Sequence, residues 1–169
     1  RYFKEWGSRI FVSCFWQNSF RINEIVNLAK SSGEKSCLFD KYTKAVIDIM
    51  IKGNVIPLTY NDIIPDEDLL RVRAKDIVIL MLGYREEIYK KMERLSNRTN
   101  EDKRIVLLPN DTFIVCSIPT PIFETACTRA VDSLYRTGCE VIHFTRKQVP
   151  SMHARQDDLK LMLSLLKPK

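Results

Sequence analysis

Glycine is scarce here, with five in 169 residues. That scarcity excludes the loops in which a backbone without Cβ atoms closes around a phosphate. There is no dinucleotide fingerprint and no Walker loop. The first strand-like run leads into Phe15-Trp16-Gln17-Asn18, where a pyrophosphate-binding turn would need glycine. Histidine is scarcer still, with two residues. His143 lies inside a strand-like run and reads as a packed or edge side chain. No His, Cys or Asp cluster has metal-ligand spacing, so a self-contained metal site is not expected. The five cysteines include no Cys-x-x-Cys pair and fall mostly in apolar runs. They read as small buried hydrophobes of a reducing cytosol. No stretch reaches the ~18 uninterrupted apolar residues that would cross a bilayer. No leader is visible, and a chain opening on Arg1 is expected to continue upstream.

The remaining composition is that of an ordinary globular domain, 45% hydrophobic and 28% charged, long enough for one real core. Net charge is +6, and residues 129–169 hold eight Lys/Arg against four Asp/Glu. A basic bias of this kind suits a polyanion such as RNA, although many mildly basic surfaces are merely solvated.

Apolar periodicity alternates between strand and helix. Residues 9–15 read as a buried strand. Ser19 is a candidate cap for a helix carrying Ile22, Ile25, Val26 and Ala29, closed by Gly33. Residues 36–39 form a second strand, and Tyr42, Ala45, Val46, Ile49 and Met50 the next helical stripe. Residues 54–75 are irregular, with one short helix at 66–70. The strongest buried strand is 77–82, turned by Gly83, and a charged helix follows over 86–95. Residues 105–108 and 112–117 read as two strands around a turn, 121–137 as a helix, 140–144 as the last strand and 157–166 as the last helix, with Met162 and its neighbouring leucines in the core. The pattern implies an α/β, Rossmann-like, mostly parallel sheet with helices on both faces. Ligands gather at the carboxyl ends of such strands. Gln17, Asn18, Arg21, Lys41, Arg85, Glu87, Ser117, Glu124 and His153 are thereby expected along one edge.

The most chemical-looking segment is Ser151-Met152-His153-Ala154, set before a helix that opens with Asp157 and Asp158. A hydroxyl, an imidazole and helix-entrance amides together suit one phosphate. A surface histidine ahead of a capped helix fits the spacing as well. Glu124 in a first helical turn, and Arg85-Glu86-Glu87 after a strand, are equally compatible with dipole stabilisation and solvation.

An ordered set of motifs resembles the ribonuclease J family. Val149-Pro150-Ser151-Met152-His153-Ala154, Asp158-Leu159-Lys160-Leu161-Met162-Leu163 and Lys167-Pro168-Lys169 are similar to its His-x-Ser-x-His-Ala, Leu-Lys-x-Met-Leu and Lys-Pro-Lys segments. Upstream, Phe15-Trp16-Gln17-Asn18-Ser19-Phe20-Arg21-Ile22 is similar to Thr-Phe-Ala-Ser-Asn-x-x-Arg-Ile. The run from Asp111-Thr112 to Ser117 is similar to Gly-Asp-Thr-Val-Ile, and Pro119-Thr120-Pro121-Ile122-Phe123-Glu124 to Pro-x-Pro-Gly-Asn-Glu. Gly83-Tyr84-Arg85-Glu86-Glu87 stands in the place of Gly-Ser-Gln-Gly-Glu. The resemblance spans essentially the whole chain.

It implies a β-CASP domain over residues 1–147 and a return segment, 148–169, into a metallo-β-lactamase domain. It further implies a cytoplasmic, zinc-dependent ribonuclease of RNA processing and decay that cuts internally or from the 5′ end. The zinc ligands would lie outside this chain, upstream of Arg1 and beyond Lys169, leaving the fragment without metal and inactive alone. RNA and other ribonuclease J subunits, in homo- or hetero-oligomers, are the implied partners. By this resemblance His153 approaches the scissile phosphate and Ser151 binds RNA phosphate. Ala154, Glu124, Asn18, Arg21 and Glu87 are the further phosphate-side candidates. Lys41, Arg21 and Arg146 are candidates for backbone contacts, and Trp16 for stacking a base or for the core. The chain departs from the family where His becomes Val149, Ser becomes Tyr84, Gly becomes Glu86, and Gly-Asn becomes Ile122-Phe123. These changes remove phosphate-approaching glycines. They leave open a non-catalytic RNA-binding or scaffolding paralogue.

Overall fold

The computed structural model describes residues 8–65, 67–144 and 156–167. Its strands are β1 (Ile10–Phe15), β2 (Lys35–Leu38), β3 (Ile77–Gly83), β4 (Thr112–Val115) and β5 (Glu140–His143), and its α-helices are α1 (Ser19–Ser31), α2 (Lys41–Lys52), α3 (Glu87–Ser96), α4 (Glu124–Tyr135) and α5 (Gln156–Leu166). The five strands form one sheet in the order β2-β3-β1-β4-β5, and every pairing is parallel. This is the expected α/β, Rossmann-like sheet.

Strand alternation divides the core into two layers. Ile10, Val12 and Cys14 of β1, with Val78, Leu80 and Leu82 of β3, meet Ile22, Ile25 and Val26 of α1 and Ile47 and Met50 of α2. Phe11, Ile79, Met81 and Phe113 point to the other face, against Ile88, Met92 and Leu95 of α3 and Ala130 and Leu134 of α4. The Phe11 and Phe113 rings stack at 5.9 Å. β3 is buried along its whole length, which explains its continuous apolar run. Each fully buried Ile, Leu or Phe contributes about 1.5–3 kcal/mol.

Four local expectations are corrected. The cap of α1 is Asn18, whose side chain accepts the Arg21 N–H at 3.0 Å, and not Ser19. Residues 105–108 are not a strand. Ile105 and Leu107 are buried, but β1 and β5 already occupy both edges of β4. The segment is held instead by Arg9, which bonds the Val106 carbonyl at 2.7 Å and both oxygens of Asp111 at 3.1 and 2.7 Å. Residues 121–137 divide into a 3-10 turn, Pro121–Phe123, and then α4. The described residues of 66–70 form turns rather than a helix. The connection from α2 to β3 rounds the outer edge of β2. Ile56 and Leu58 lie in one layer, Ile64 and Leu69 in the other, and Ile63 bridges Ser36 between them. That bridge covers part of an otherwise open sheet edge.

The described side chains of α5 are all exposed, with Leu161 at 59% and Met162 at 49%. The expectation that this stripe lies in the core of the chain is therefore wrong. The stripe has the periodicity of a buried face, but no apolar surface among the described residues covers it.

Candidate functional site

All five strands run in one direction, so their carboxyl ends and the starts of α1, α2, α3 and α4 share one edge. At the β2–β3 corner of that edge, β3 outruns its neighbour. The β2 register ends at Leu38 opposite Leu80, and the Phe39 N–H still reaches the Leu80 carbonyl at 3.0 Å. The next β3 peptide facing that side, at Leu82, has no strand partner. A buried, unpaired peptide is costly, and side chains replace the ladder. The Leu82 N–H donates to Thr43 Oγ1 at 3.1 Å, and Lys91 Nζ donates to the Leu82 carbonyl at 2.7 Å. Lys91 also meets Asp40 Oδ2 at 2.6 Å, and its ammonium lies 4.4 Å from the Tyr42 ring centroid. Asp40 caps α2 through the Thr43 N–H at 2.8 Å and accepts the Thr43 hydroxyl at 2.7 Å. A 5%-exposed lysine is thus tied to the strand end, the helix cap and an aromatic ring.

Above this brace lies a cleft with two adjoining lobes. One, of about 390 Å³, is lined by Lys41, Lys44, Arg94, Lys103 and Arg104 with Asn100, Glu101 and Asp102 among its other walls. The second, of about 570 Å³, adds Tyr42, Tyr84 and Glu87. Both touch Asp40, Lys41, Lys91, Arg94 and Glu101. Arg94 pairs with Glu87 at 3.0 Å and Arg104 with Asp102 at 2.7 Å. Asp102 is held below the usual carboxylate range, chiefly by its hydrogen bond from Arg104.

Tyr84 and Arg85 form the turn after β3. The Gly83 carbonyl accepts the Trp16 N–H at 3.1 Å. A Cβ on Gly83 would fall 2.8 Å from Ile88 Cβ, so glycine is required there by close approach. Arg85 takes a left-handed backbone, φ 48°, and its guanidinium sits 4.8 Å from the Tyr84 ring centroid. Trp16 lies 6.5 Å from Tyr84, ring to ring. Burial and the Asp40 charge push the Tyr42 phenol upward, so it stays protonated. Trp16, Tyr42 and Tyr84 are 39%, 42% and 41% exposed, and form a ledge rather than core.

The expected site residues divide accordingly. Lys41 and Glu87 line the cleft. Asn18 is occupied as the α1 cap. Arg21 stands on the first turn of α1, 3.7 Å from Glu24, with its charge close to Cys116. Glu124 is an exposed first residue of α4. Ser117 is buried, its hydroxyl 3.0 Å from that of Ser13 and its carbonyl accepting the Tyr89 hydroxyl at 3.0 Å. Its role is structural. His143 is half-buried, with desolvation lowering its pKa, and its Nε2 lies 3.8 Å from Cys127 Sγ. Ser151, His153, Ala154 and Arg146 lie outside the described residues.

Asp40, Thr43 and Lys91 do not stand out in the sequence. The one signal there is a lysine set into the stripe Ile88, Met92 and Leu95, where burial demands a partner. Among the described residues no group of three or more His, Cys, Asp or Glu is placed to hold a metal ion. No described helix is long and apolar enough to cross a membrane.

A doubly covered, all-parallel sheet with a polar cleft on its carboxyl edge defines a domain of the α/β, Rossmann-like class. The profile of the family described as "Ribonuclease J, beta-CASP domain" matches residues 7–134. The chain belongs to that family. It is 28% identical over 162 residues to Ribonuclease J2 of Bacillus subtilis, covering 96% of this chain and 29% of that protein. It is 29% identical over 168 residues to Ribonuclease J of Mycoplasma genitalium, covering 98% of this chain and 29% of that protein. The likeness to Ribonuclease J 1 of Streptococcus pyogenes is 28% over 162 residues, covering 95% and 29%. The chain thus spans less than a third of the curated relatives it matches.

Proposed function

We propose that this β-CASP domain forms one wall of the RNA-binding cleft of a cytoplasmic, zinc-dependent ribonuclease of the ribonuclease J type. The observation that carries the reading is the carboxyl-edge cleft, whose lining holds six Lys/Arg against four Asp/Glu. Such a surface suits a phosphate backbone with little base preference. The described residues do not fit a zinc site, so the metal and its activation of water belong to a metallo-β-lactamase domain entered by residues 148–169. His153 stabilises charge on the scissile phosphate and Ser151 holds a phosphate oxygen, with Ala154 beside them. Arg21, Glu124, Asn18 and Glu87 are the further residues of this reading on the RNA-phosphate side. RNA is the substrate, and further ribonuclease J subunits are the partners.

The test is His153→Ala in the full-length protein. RNA cleavage should fall by about a hundredfold or more, the scale of losing one charge-stabilising donor, with RNA affinity little changed. Unchanged cleavage would remove His153 from the chemistry.

A second reading, a poorly catalytic RNA-binding paralogue within a ribonuclease J assembly, is favoured by one observation. The turn after β3 carries Tyr84 in the place of the family's serine and Glu86, in an ordinary helical conformation, in the place of its second glycine. A bulky ring and a negative charge thus stand where the resembling motif has a small hydroxyl and bare backbone. An absence of cleavage alongside retained RNA binding by the full-length protein would select this reading.

A further inference from the structure

The sheet sorts the five cysteines by face. Cys37, Cys127 and Cys139 are buried in the layer of α3 and α4. Cys14 is buried in the layer of α1 and α2, and Cys116 packs against that layer. All five are free thiols. The paired register of β1 and β4 ends at Ser13 opposite Val115, and the Cys116 N–H still donates to the Ser13 carbonyl at 3.0 Å. Cys14 and Cys116 are therefore the next neighbours across the ladder, on one face. Adjacent strands stand about 4.8 Å apart, within the roughly 4.4–6.8 Å between Cα atoms that a disulfide spans. Cys14 is 1% exposed and Cys116 is half-buried, so a small reagent meets Cys116 first. Arg21, on the first turn of α1, sets positive charge beside both sulfurs. Its Nε is buried and has no hydrogen-bond acceptor among the described residues, with a Glu24 oxygen 3.7 Å away. An anionic sulfur or sulfenate on Cys116 is the kind of acceptor such a donor lacks.

We propose that Cys14 and Cys116 are a modification site, a dithiol that a hydroperoxide closes into a disulfide between β1 and the end of β4. Cys116 gives up its proton, and its sulfur attacks a peroxide oxygen. The O–O bond breaks, a sulfenic acid forms on Cys116, and the departing hydroxide takes the proton and leaves as water. The Cys14 sulfur then attacks the sulfenic sulfur. The S–O bond breaks, and the hydroxyl leaves as a second water with the Cys14 proton. The two thiols lose two electrons, and the peroxide gains them. Arg21 favours the anionic forms of Cys116 in the first step. Burial opposes it and raises both thiols, Cys14 to about 12. Little thiolate is present at neutral pH, so the pair answers to a strong oxidant and stays reduced in an ordinary reducing cytosol. The three remaining cysteines lie across the sheet, which leaves Cys14 as the partner within reach of Cys116. The site stands on strand register and burial, and does not depend on the ribonuclease reading.

The test treats the native full-length protein with hydrogen peroxide, quenches with catalase and alkylates the remaining thiols in denaturant. Mass spectrometry of the unreduced digest should find the Cys14 and Cys116 peptides linked, and dithiothreitol should separate them. Cys37, Cys127 and Cys139 should be recovered alkylated. In Cys14→Ser the sulfenic acid on Cys116 has no partner, so dimedone should trap it or it should advance to the sulfinic acid. Arg21→Gln should slow the linking by about threefold, the loss of thiolate being partly offset by higher nucleophilicity, and Arg21→Lys should restore the rate. Thermal melts confirm that each variant is folded, and the wild-type digest decides the pairing without any variant. Three results would overturn the proposal. One is Cys116 oxidised or joined to another thiol with Cys14 still free. Another is an equal yield of the linked peptide from urea-unfolded protein, which would make the pairing a property of the chain and not of the fold. The third is both thiols still reduced under peroxide that oxidises free cysteine in the same solution.

Discussion

At the scale of single residues, burial sets protonation. Cys14 is buried, and desolvation, with Cys116 nearby, pushes its thiol up to about 12. The nucleophile is the thiolate, so Cys14 should resist iodoacetamide at neutral pH in the native protein and react after unfolding, as read by mass spectrometry. Glu34 has the opposite interest. Burial, then the Asp76 charge, raise its carboxyl from 4.5 to about 7. The native state therefore holds this proton more tightly than the unfolded chain. Its contribution favours the native state fully below about 4.5 and is lost as pH rises through about 7. Asp48, Asp62 and Asp102 are lowered from 3.8, so theirs is present above that value and lost below it. Urea melts should show Glu34→Gln removing a decline in stability between pH 4.5 and 7 while leaving the acid limb intact. Lys91 is the most consequential buried charge. Lys91→Ala strands Asp40 and the Leu82 carbonyl and should cost about 3–5 kcal/mol in urea melts. The sequence shows Lys91 only as an interruption of an apolar stripe. Its partner is 51 positions away by number, and only the register of β2 against β3 brings the two together.

At the scale of elements, the turn after β3 is the sharpest constraint. Gly83→Ala brings a Cβ to 2.8 Å from Ile88 and should destabilise by about 1–3 kcal/mol. Arg85→Gly relieves a side-chain-bearing residue in the left-handed region and takes the guanidinium away from the Tyr84 ring. Calorimetry should find its stability equal to wild type or slightly higher. Elements with their own periodicity, β1, α1, β3 and α3, are legible in the sequence because local pattern and burial agree. Residues 105–108 imitate a strand because Ile105-Val106-Leu107-Leu108 is a short apolar run before a turn, of which Ile105 and Leu107 are buried. Hydrogen bonding depends on a free neighbouring edge, which local pattern does not contain. α5 misleads for the same reason. An amphipathic stripe announces that a face will be covered and is silent on what covers it.

At the scale of the whole molecule, the alternation of strands and helices makes the sheet class legible, and the carboxyl-edge rule points to the edge where Lys41 and Glu87 line one cleft. Strand order is not legible, since it depends on how connections cross the faces. The long connection around the β2 edge has no periodic signature at all. The candidate site is legible in part. Topology places its edge, whereas Asp40, Thr43 and Lys91 emerge only where β3 outruns β2. Family membership is carried by residues 7–134. The central functional claim is that the wall they form serves a metal-dependent ribonuclease. The most direct measurement is cleavage of a 5′-labelled single-stranded RNA by the full-length protein, first stripped of metal and then restored with zinc. The account predicts no product from the stripped protein and product after zinc, suppressed by His153→Ala. Intact RNA after zinc, bound as tightly as before, would contradict it and leave an RNA-binding subunit in its place.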